Sequence, residues 1–373
     1  MLKNKNLSNL IPSIILFIFP IICSFYPYTR INKKVIEITY KKYMSEDVQK
    51  NGYAVTTKSF SRKDSSKLKL ELLSKINNSQ KDIIIVSNHQ LQYITENLNQ
   101  LPIFNMWMGN YGITEIADIV KYMDTKGDLL LPNKILVTQI TSPNNDLGGS
   151  IVGYRDELPD FIVGKSKNPY VLNKSKLIFS PGSIINSIKQ IRKLRQFFDY
   201  KNLWGIIKSE ILMNSAENDI SIDKNKNVSG EFSFDKTGSS KGENKRPLIF
   251  NESHKNIENK SLLRFSDAKE IIFSLQQIDK VAYERNIIHI VLIPPVYESS
   301  DHKKMNSFEN KILDISLQNF YKEAKSTIII DHRRDKRFLD YESAKYYEDF
   351  DHPSSLYGIE LFEEIKKITK INF

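Results

Sequence analysis

Near the carboxyl end of the chain stands Asp349-Phe350-Asp351-His352, followed by Pro353. A carboxylate three residues ahead of an imidazole can hold one ring nitrogen while the other faces a reacting hydroxyl. It then fixes the tautomer and stabilises the imidazolium that forms when the ring takes a proton. Pro353 stops an upstream helix, and Ser354 or Ser355 caps a last helix to about Ile368, which anchors the loop. A D-x-x-H recurs by chance, and an exposed acidic loop with an incidental histidine has the same letters. Its place after a strand and before a helix containing Gly358 adds weight.

Other polar residues with chemical potential close short apolar runs. Ile83-Ile84-Ile85-Val86 is β-branched throughout and stops at Ser87-Asn88-His89. Such a run predicts a fully buried parallel strand. Residues 102–105, 134–140, 287–293 and 327–330 predict further strands, the third run ending ahead of Asn144-Asn145 and the last at Asp331-His332. Helices are expected over Gln90–Leu98, over Thr114–Met123 with Thr114 as cap, over about 266–286, and over Phe308–Ala324. Strands alternating with helices predict a parallel sheet covered on both faces, with ligands gathering at the carboxyl ends of the strands.

The 373 residues carry 54 Lys and Arg against 44 Asp and Glu, a formal charge of +10. The lysines are scattered, and no nucleic-acid-binding motif is present, so no nucleic-acid partner is expected. The single cysteine, Cys23, rules out an internal disulfide framework and any cysteine-rich zinc site. Lys3 and Lys5 precede an apolar run from Ile11 to Phe25, which reads as a signal anchor that leaves the bulk of the chain exported. Arg30, Lys33 and Lys34 just beyond it blur the charge asymmetry that sets orientation. Gly164-Lys165-Ser166 lacks the upstream glycine of a phosphate loop, and H-E-x-x-H is absent. Asp331, His332, Asp349, Asp351 and His352 are read as strand-end polar groups plus a dyad rather than as metal ligands. No cofactor and no metal is expected.

Several blocks together resemble the GDSL/SGNH hydrolase superfamily. Asp82 to Tyr93 is similar to the first block, Phe104 through Ile116 to the second, Ser142 to Asp146 to the third, and Tyr346 to Ile365 to the last. Leu292-Ile293-Pro294-Pro295 resembles a proline-ended strand common in envelope members. The resemblance implies an α/β fold, a three-layer α/β/α sandwich with a flavodoxin-like parallel sheet. It also implies Asp349 and His352 as catalytic dyad, and Asn110, Asn144 and Asn145 as oxyanion or substrate-binding residues. At the nucleophile the sequence departs: His89 falls where the family has serine. Three readings stand: a lost nucleophile and a pseudoenzyme, Ser87 serving two positions early, or His89 itself attacking.

The implied activity is an esterase or O-acyltransferase on an acylated envelope polysaccharide or polymer, similar to membrane-anchored members of the D-alanyl-lipoteichoic acid or alginate acyl-transfer type. A membrane acyltransferase is a candidate partner. The different-class alternative is an inactive, glycan-binding or assembly subunit. The expected organisation is an anchor over 1–28, a connector over 29–80, and an SGNH-like domain over 81–215 and 263–373. A polar, mobile insertion is expected over 216–262, because so few apolar residues cannot offset the cost of ordering.

Overall fold

The structure, a computed structural model, describes residues 54–55, 62–96, 98, 100–109, 111–141, 158–163, 230–235, 237–241, 265–295, 308–339, 341–349 and 352–373. The chain falls into two units. In the first (Met1–Ser45, Ala54–Phe60, Lys165–Val228) the described residues are the two-residue strand Ala54–Val55. Everything below belongs to the second: Glu46–Tyr53, Ser61–Gly164 and Ser229–Phe373. The apolar run Ile11–Phe25 and the Asn110, Asn144, Asn145 and Asp351 positions lie outside the described residues. Among the described residues no helix is long and apolar enough to cross a membrane.

Five strands form one sheet: β1 (Ile83–Ser87), β2 (Ile103–Trp107), β3 (Ile135–Gln139), β4 (Ile288–Ile293) and β5 (Thr327–Asp331). They lie in the order β2-β1-β3-β4-β5, and every pairing is parallel. Ile85 sits opposite Asn105 on one side and Val137 on the other; Val137 sits opposite Ile290, and Ile290 opposite Ile328. This is an α/β fold, as the alternation of short β-branched runs with helical patterns predicts. Residues 83–87, 103–107 and 135–139 are buried at every position. A strand sealed on both faces has no use for polar alternation, which is why these runs read as continuous apolar stretches.

The main helices are α1 (Arg62–Lys75), α2 (Ile113–Lys126), α3 (Phe265–Glu284), α4 (Phe308–Tyr321) and α5 (Ser355–Thr369). On one sheet face Ile83, Ile85, Val137, Ile290 and Leu292 pack with Tyr357, Leu361, Phe362 and Ile365 of α5. Each such side chain contributes about 1.5–3 kcal/mol on burial. The alternate strand residues, among them Ile84, Val86, Leu136 and Val291, are equally buried. On that side α2 approaches β1 and β3, α3 approaches β4, and α3 packs against both α2 and α4.

Gly358 sets how closely α5 docks. A Cβ there would lie 1.8 Å from the Ile94 carbonyl oxygen, so only glycine lets the helix approach the segment that follows β1.

Two local expectations differ from what the chain does. The periodicity over Gln90–Leu98 predicts a helix, but only His89–Leu91 forms a 3₁₀ turn, followed by further turns to Glu96. Backbone N–H groups here bond three residues back, from Gln92 to His89, Glu96 to Tyr93 and Leu98 to Thr95. The carbonyls of Leu91 and Gln92 turn sideways to tertiary donors instead of closing α-helical rings. Thr114 does not cap α2. Gly112 precedes the helix, and the Glu115 carboxylate accepts the Gly112 N–H at 3.0 Å.

Part of the 216–262 stretch is folded. Gly230–Phe234 and Ser240–Lys241 pair as an antiparallel hairpin. Its turn residues Asp235, Thr237, Gly238 and Ser239 are buried, and Thr237 O accepts the backbone N–H of Asn105 on edge strand β2. Hydrogen bonds to a sheet edge, rather than apolar burial, order this piece, and a hydropathy argument does not register them.

Candidate active site

β1 ends at Ser87, and the chain leaves the sheet through Asn88. Its side chain accepts the Gln90 N–H at 2.9 Å and so caps the turn that carries His89. The same amide donates to Thr141 Oγ1 at 2.6 Å. Gln139, at the end of the neighbouring strand β3, accepts the Asn88 N–H at 3.2 Å and donates to Gln90 Oε1 at 2.6 Å. The His89 N–H is held by the Gly109 carbonyl at 2.8 Å. His89 is thus placed at the carboxyl end of the sheet by polar groups from β1, the end of β2 and the end of β3.

The opposing loop is equally well fastened. An isolated bridge joins Tyr347 to Pro353, the Glu348 N–H donates to the His352 carbonyl at 2.9 Å, and the Ser354 N–H to the Tyr346 carbonyl at 2.8 Å. The Tyr347 hydroxyl ties the loop to the Phe338 carbonyl at 2.8 Å. Across the mouth of this loop Asp349 receives both the backbone N–H of His352 at 3.0 Å and its ring Nδ1 at 2.8 Å. The second carboxylate oxygen is 2.9 Å from the same nitrogen. A carboxylate on Nδ1 keeps the proton there and leaves Nε2 with its lone pair, the tautomer a general base needs. Asp349 remains about one-third exposed, while the His352 side chain is 13% exposed.

The rings of His89 and His352 meet edge to face with centroids 5.2 Å apart, and Tyr93 packs its ring edge-on at 5.6 Å from His352. The structure therefore brings Asp349, His352 and His89 together. Ser87 is a different case. Its side chain is completely buried, and its hydroxyl has no hydrogen-bond partner among the described residues. It lies under the site, closed to a substrate.

Asp331 and His332 are occupied elsewhere. Asp331 pairs with the guanidinium of the fully buried Arg333, which also binds Asn310 and Asp314 at 2.6 Å each. His332 meets the Tyr357 hydroxyl at 2.9 Å and Glu364 at 3.2 Å. Burial pushes its pKa down, and Glu364 opposes that. Among the described residues no three His, Cys, Asp or Glu side chains converge as a metal site.

Glu115 is a buried acid in the second block. Burial raises its pKa to about 7 against the Gly112 N–H bond, and its Oε1 has no partner among the described residues. The sequence gives no signal for Tyr93, Gln90 or Gln139 as site residues. Tyr93 stands inside the first block, and Gln139 at a strand end, but nothing in their spacing distinguishes a ring packed on a catalytic imidazole from an ordinary core residue. No family model matches the chain, and no curated protein matches it either.

Proposed function

We propose that this chain is an SGNH-like esterase or O-acyltransferase that acts on ester-linked acyl groups of a cell-envelope glycan or polymer, exported and tethered by its amino-terminal segment. The observation that carries the reading is the Asp349-bound imidazole of His352, 5.2 Å from the ring at position 89 at the carboxyl end of a parallel sheet. The strand order supports a flavodoxin-like, three-layer α/β/α architecture, in which that end of the sheet is where ligands bind.

In this reading His352 is the general base and acid, and Asp349 holds its tautomer. His89 takes the nucleophile's place. Its ring adds to the ester carbonyl as His352 takes the His89 ring proton, and His352 then gives that proton to the departing alcohol, leaving a neutral acyl-imidazole. The acyl-imidazole then loses its acyl group to water or to an acceptor hydroxyl that His352 deprotonates. The complete burial of Ser87 argues against that residue in the same role.

A second reading, a pseudoenzyme that keeps the fold to bind a glycan or an assembly partner, is favoured by one specific observation. The His89 N–H already donates to the Gly109 carbonyl at 2.8 Å. A backbone N–H at the nucleophile is a natural donor to a developing oxyanion, and here it is already engaged.

The deciding experiment measures hydrolysis of simple acetyl esters by the wild type, His89→Ala and His89→Ser. Activity in the wild type that His89→Ala and His352→Ala both abolish supports the enzyme. An inert wild type, with activity gained in His89→Ser that requires His352, identifies the pseudoenzyme. Wild-type activity that survives His352→Ala overturns both.

A further inference from the structure

Among the described residues, the hairpin inside the polar 216–262 stretch meets the sheet at edge strand β2, beside the candidate site. Its turn is closed by Asp235, whose Oδ1 accepts the N–H of Thr237 at 2.8 Å and of Ser239 at 3.1 Å. Gly238 occupies a positive φ of 78°, and a Cβ there would meet the Asn105 carbonyl oxygen at 2.4 Å. The turn is therefore pressed onto the backbone of edge strand β2. Lys69, fully buried on α1, donates to the Gly238 carbonyl at 3.2 Å and lies 3.8 Å from the centroid of the Trp107 ring.

From that seat the turn grips the segment that joins His89 to Glu96. Gln92 O accepts both the Ser240 N–H at 2.7 Å and the Ser239 hydroxyl at 2.8 Å, so both its lone pairs are used. The Thr237 hydroxyl gives its one proton to Asp235 Oδ1 at 2.5 Å and so accepts from the Thr95 hydroxyl at 3.1 Å. Asn105, the strand residue under the turn, donates its side-chain amide to Leu91 O at 2.7 Å. Two neighbouring carbonyls of one short segment, Leu91 and Gln92, are thus taken by side donors. These carbonyls would otherwise close a regular helix, and helical periodicity is what residues 90–98 carry. Between the gripped positions 92 and 95 sits Tyr93, packed on the His352 ring.

We propose that the Asp235–Ser240 turn is a positioning element of the candidate active site. By holding the Gln92 carbonyl and the Thr95 hydroxyl, it keeps the 89–96 segment out of a regular helix and fixes Tyr93 and His89 against His352. Ser239 and Thr237 are positioning residues acting through that segment. The role of the fixed ring as a working base rests on the esterase or acyltransferase reading; the placement itself does not.

The test reads the His352 ring protons by NMR in the folded protein, with no turnover required. The neighbouring Tyr93 ring shifts these resonances, and Tyr93→Leu gives the reference displacement for losing it. Ser239→Ala and Thr237→Val are expected to move the His352 resonances in the same direction, and Thr237→Ser to return them toward the wild type. Thr327→Val, in the buried network of β5, is the control: it lowers the melting temperature without moving them. If Ser239→Ala and Thr237→Val lower the melting temperature yet leave the His352 resonances in place, the turn only stabilises the fold and the proposal fails. Should Thr237→Val not fold, Ser239→Ala, which removes a single oxygen, separates the two outcomes by itself. A protein inert toward esters whose resonances follow this pattern would lose the catalytic reading and keep the brace.

Discussion

Two histidines in this molecule are each linked to an aspartate, and they do opposite things. His289 lies in the middle of β4, completely buried, with Nε2 2.7 Å from the Thr138 hydroxyl and Nδ1 2.7 Å from that of Thr327. Thr327 donates its own proton to Asp279 at 2.7 Å, so it accepts from Nδ1–H, and Nε2 accepts from Thr138. Both ring nitrogens are satisfied by neutral hydroxyls, and the Asp279 carboxylate, one group away, offsets only part of the cost of burying a charge. Burial accordingly pushes the His289 pKa down to about 3. His352 instead has the carboxylate directly on Nδ1, and both partners reach solvent. An interposed hydroxyl and full burial make a neutral structural imidazole. Direct contact at a partly open loop is the arrangement that, in the active-enzyme reading, lets the ring take and return a proton.

The largest effect that sharpens this contrast is on turnover. In the active-enzyme reading, Asp349→Asn reverses which ring nitrogen is favoured for the proton, and acetyl-ester turnover is expected to fall about 10⁴-fold with little change in melting temperature. Equal losses from Asp349→Asn and Asp279→Asn would erase the distinction between the two sites.

His289→Ala is the mirror experiment. It leaves two buried threonine hydroxyls without their partner and opens a cavity, at a cost of about 3 kcal/mol in denaturant unfolding. The pH dependence follows from the lowered pKa. Between about 6.5, the ordinary histidine value, and about 3 the unfolded chain binds a proton the folded one refuses. His289 therefore contributes stability above that window, and the contribution is lost as pH falls through it, by up to about 1.4 kcal/mol per unit. The acid limb should be flatter in His289→Leu. An unchanged limb would mean that the buried ring is charged already.

Gly358→Ala attacks only the His352 side. The new methyl meets the Ile94 carbonyl, α5 must shift, and we expect a loss of about 2–3 kcal/mol. Hydrogen-exchange protection should fall along 89–96 and α5 while β4 keeps its own.

The smallest effect belongs to Ser87→Ala. The hydroxyl is buried without a partner among the described residues, so its removal should be neutral or stabilising within about 1 kcal/mol. Turnover should persist. Its loss would make Ser87 the nucleophile and displace His89.

The strand runs were legible because a fully buried parallel strand writes itself as a run rich in β-branched residues, as Ile83–Val86 does throughout and 287–293 does apart from His289 and Leu292. The Asp349–His352 pairing was legible because both groups lie on one short loop, where spacing nearly determines contact. Three things needed the tertiary structure. That His89 meets His352 depends on two loops more than 250 residues apart in sequence, brought to one end of a sheet. That residues 90–98 do not form the helix their periodicity predicts depends on donors from Ser239, Ser240 and Asn105, and local pattern carries no record of distant hydrogen bonds. That Ser87 is sealed while His89 is not depends on the chain leaving the sheet at Asn88, with Ser87 still in the strand and His89 in the turn beyond it. Sequence by itself determined which residues carry chemistry and where strands run; packing across the sheet decided which of those residues meet.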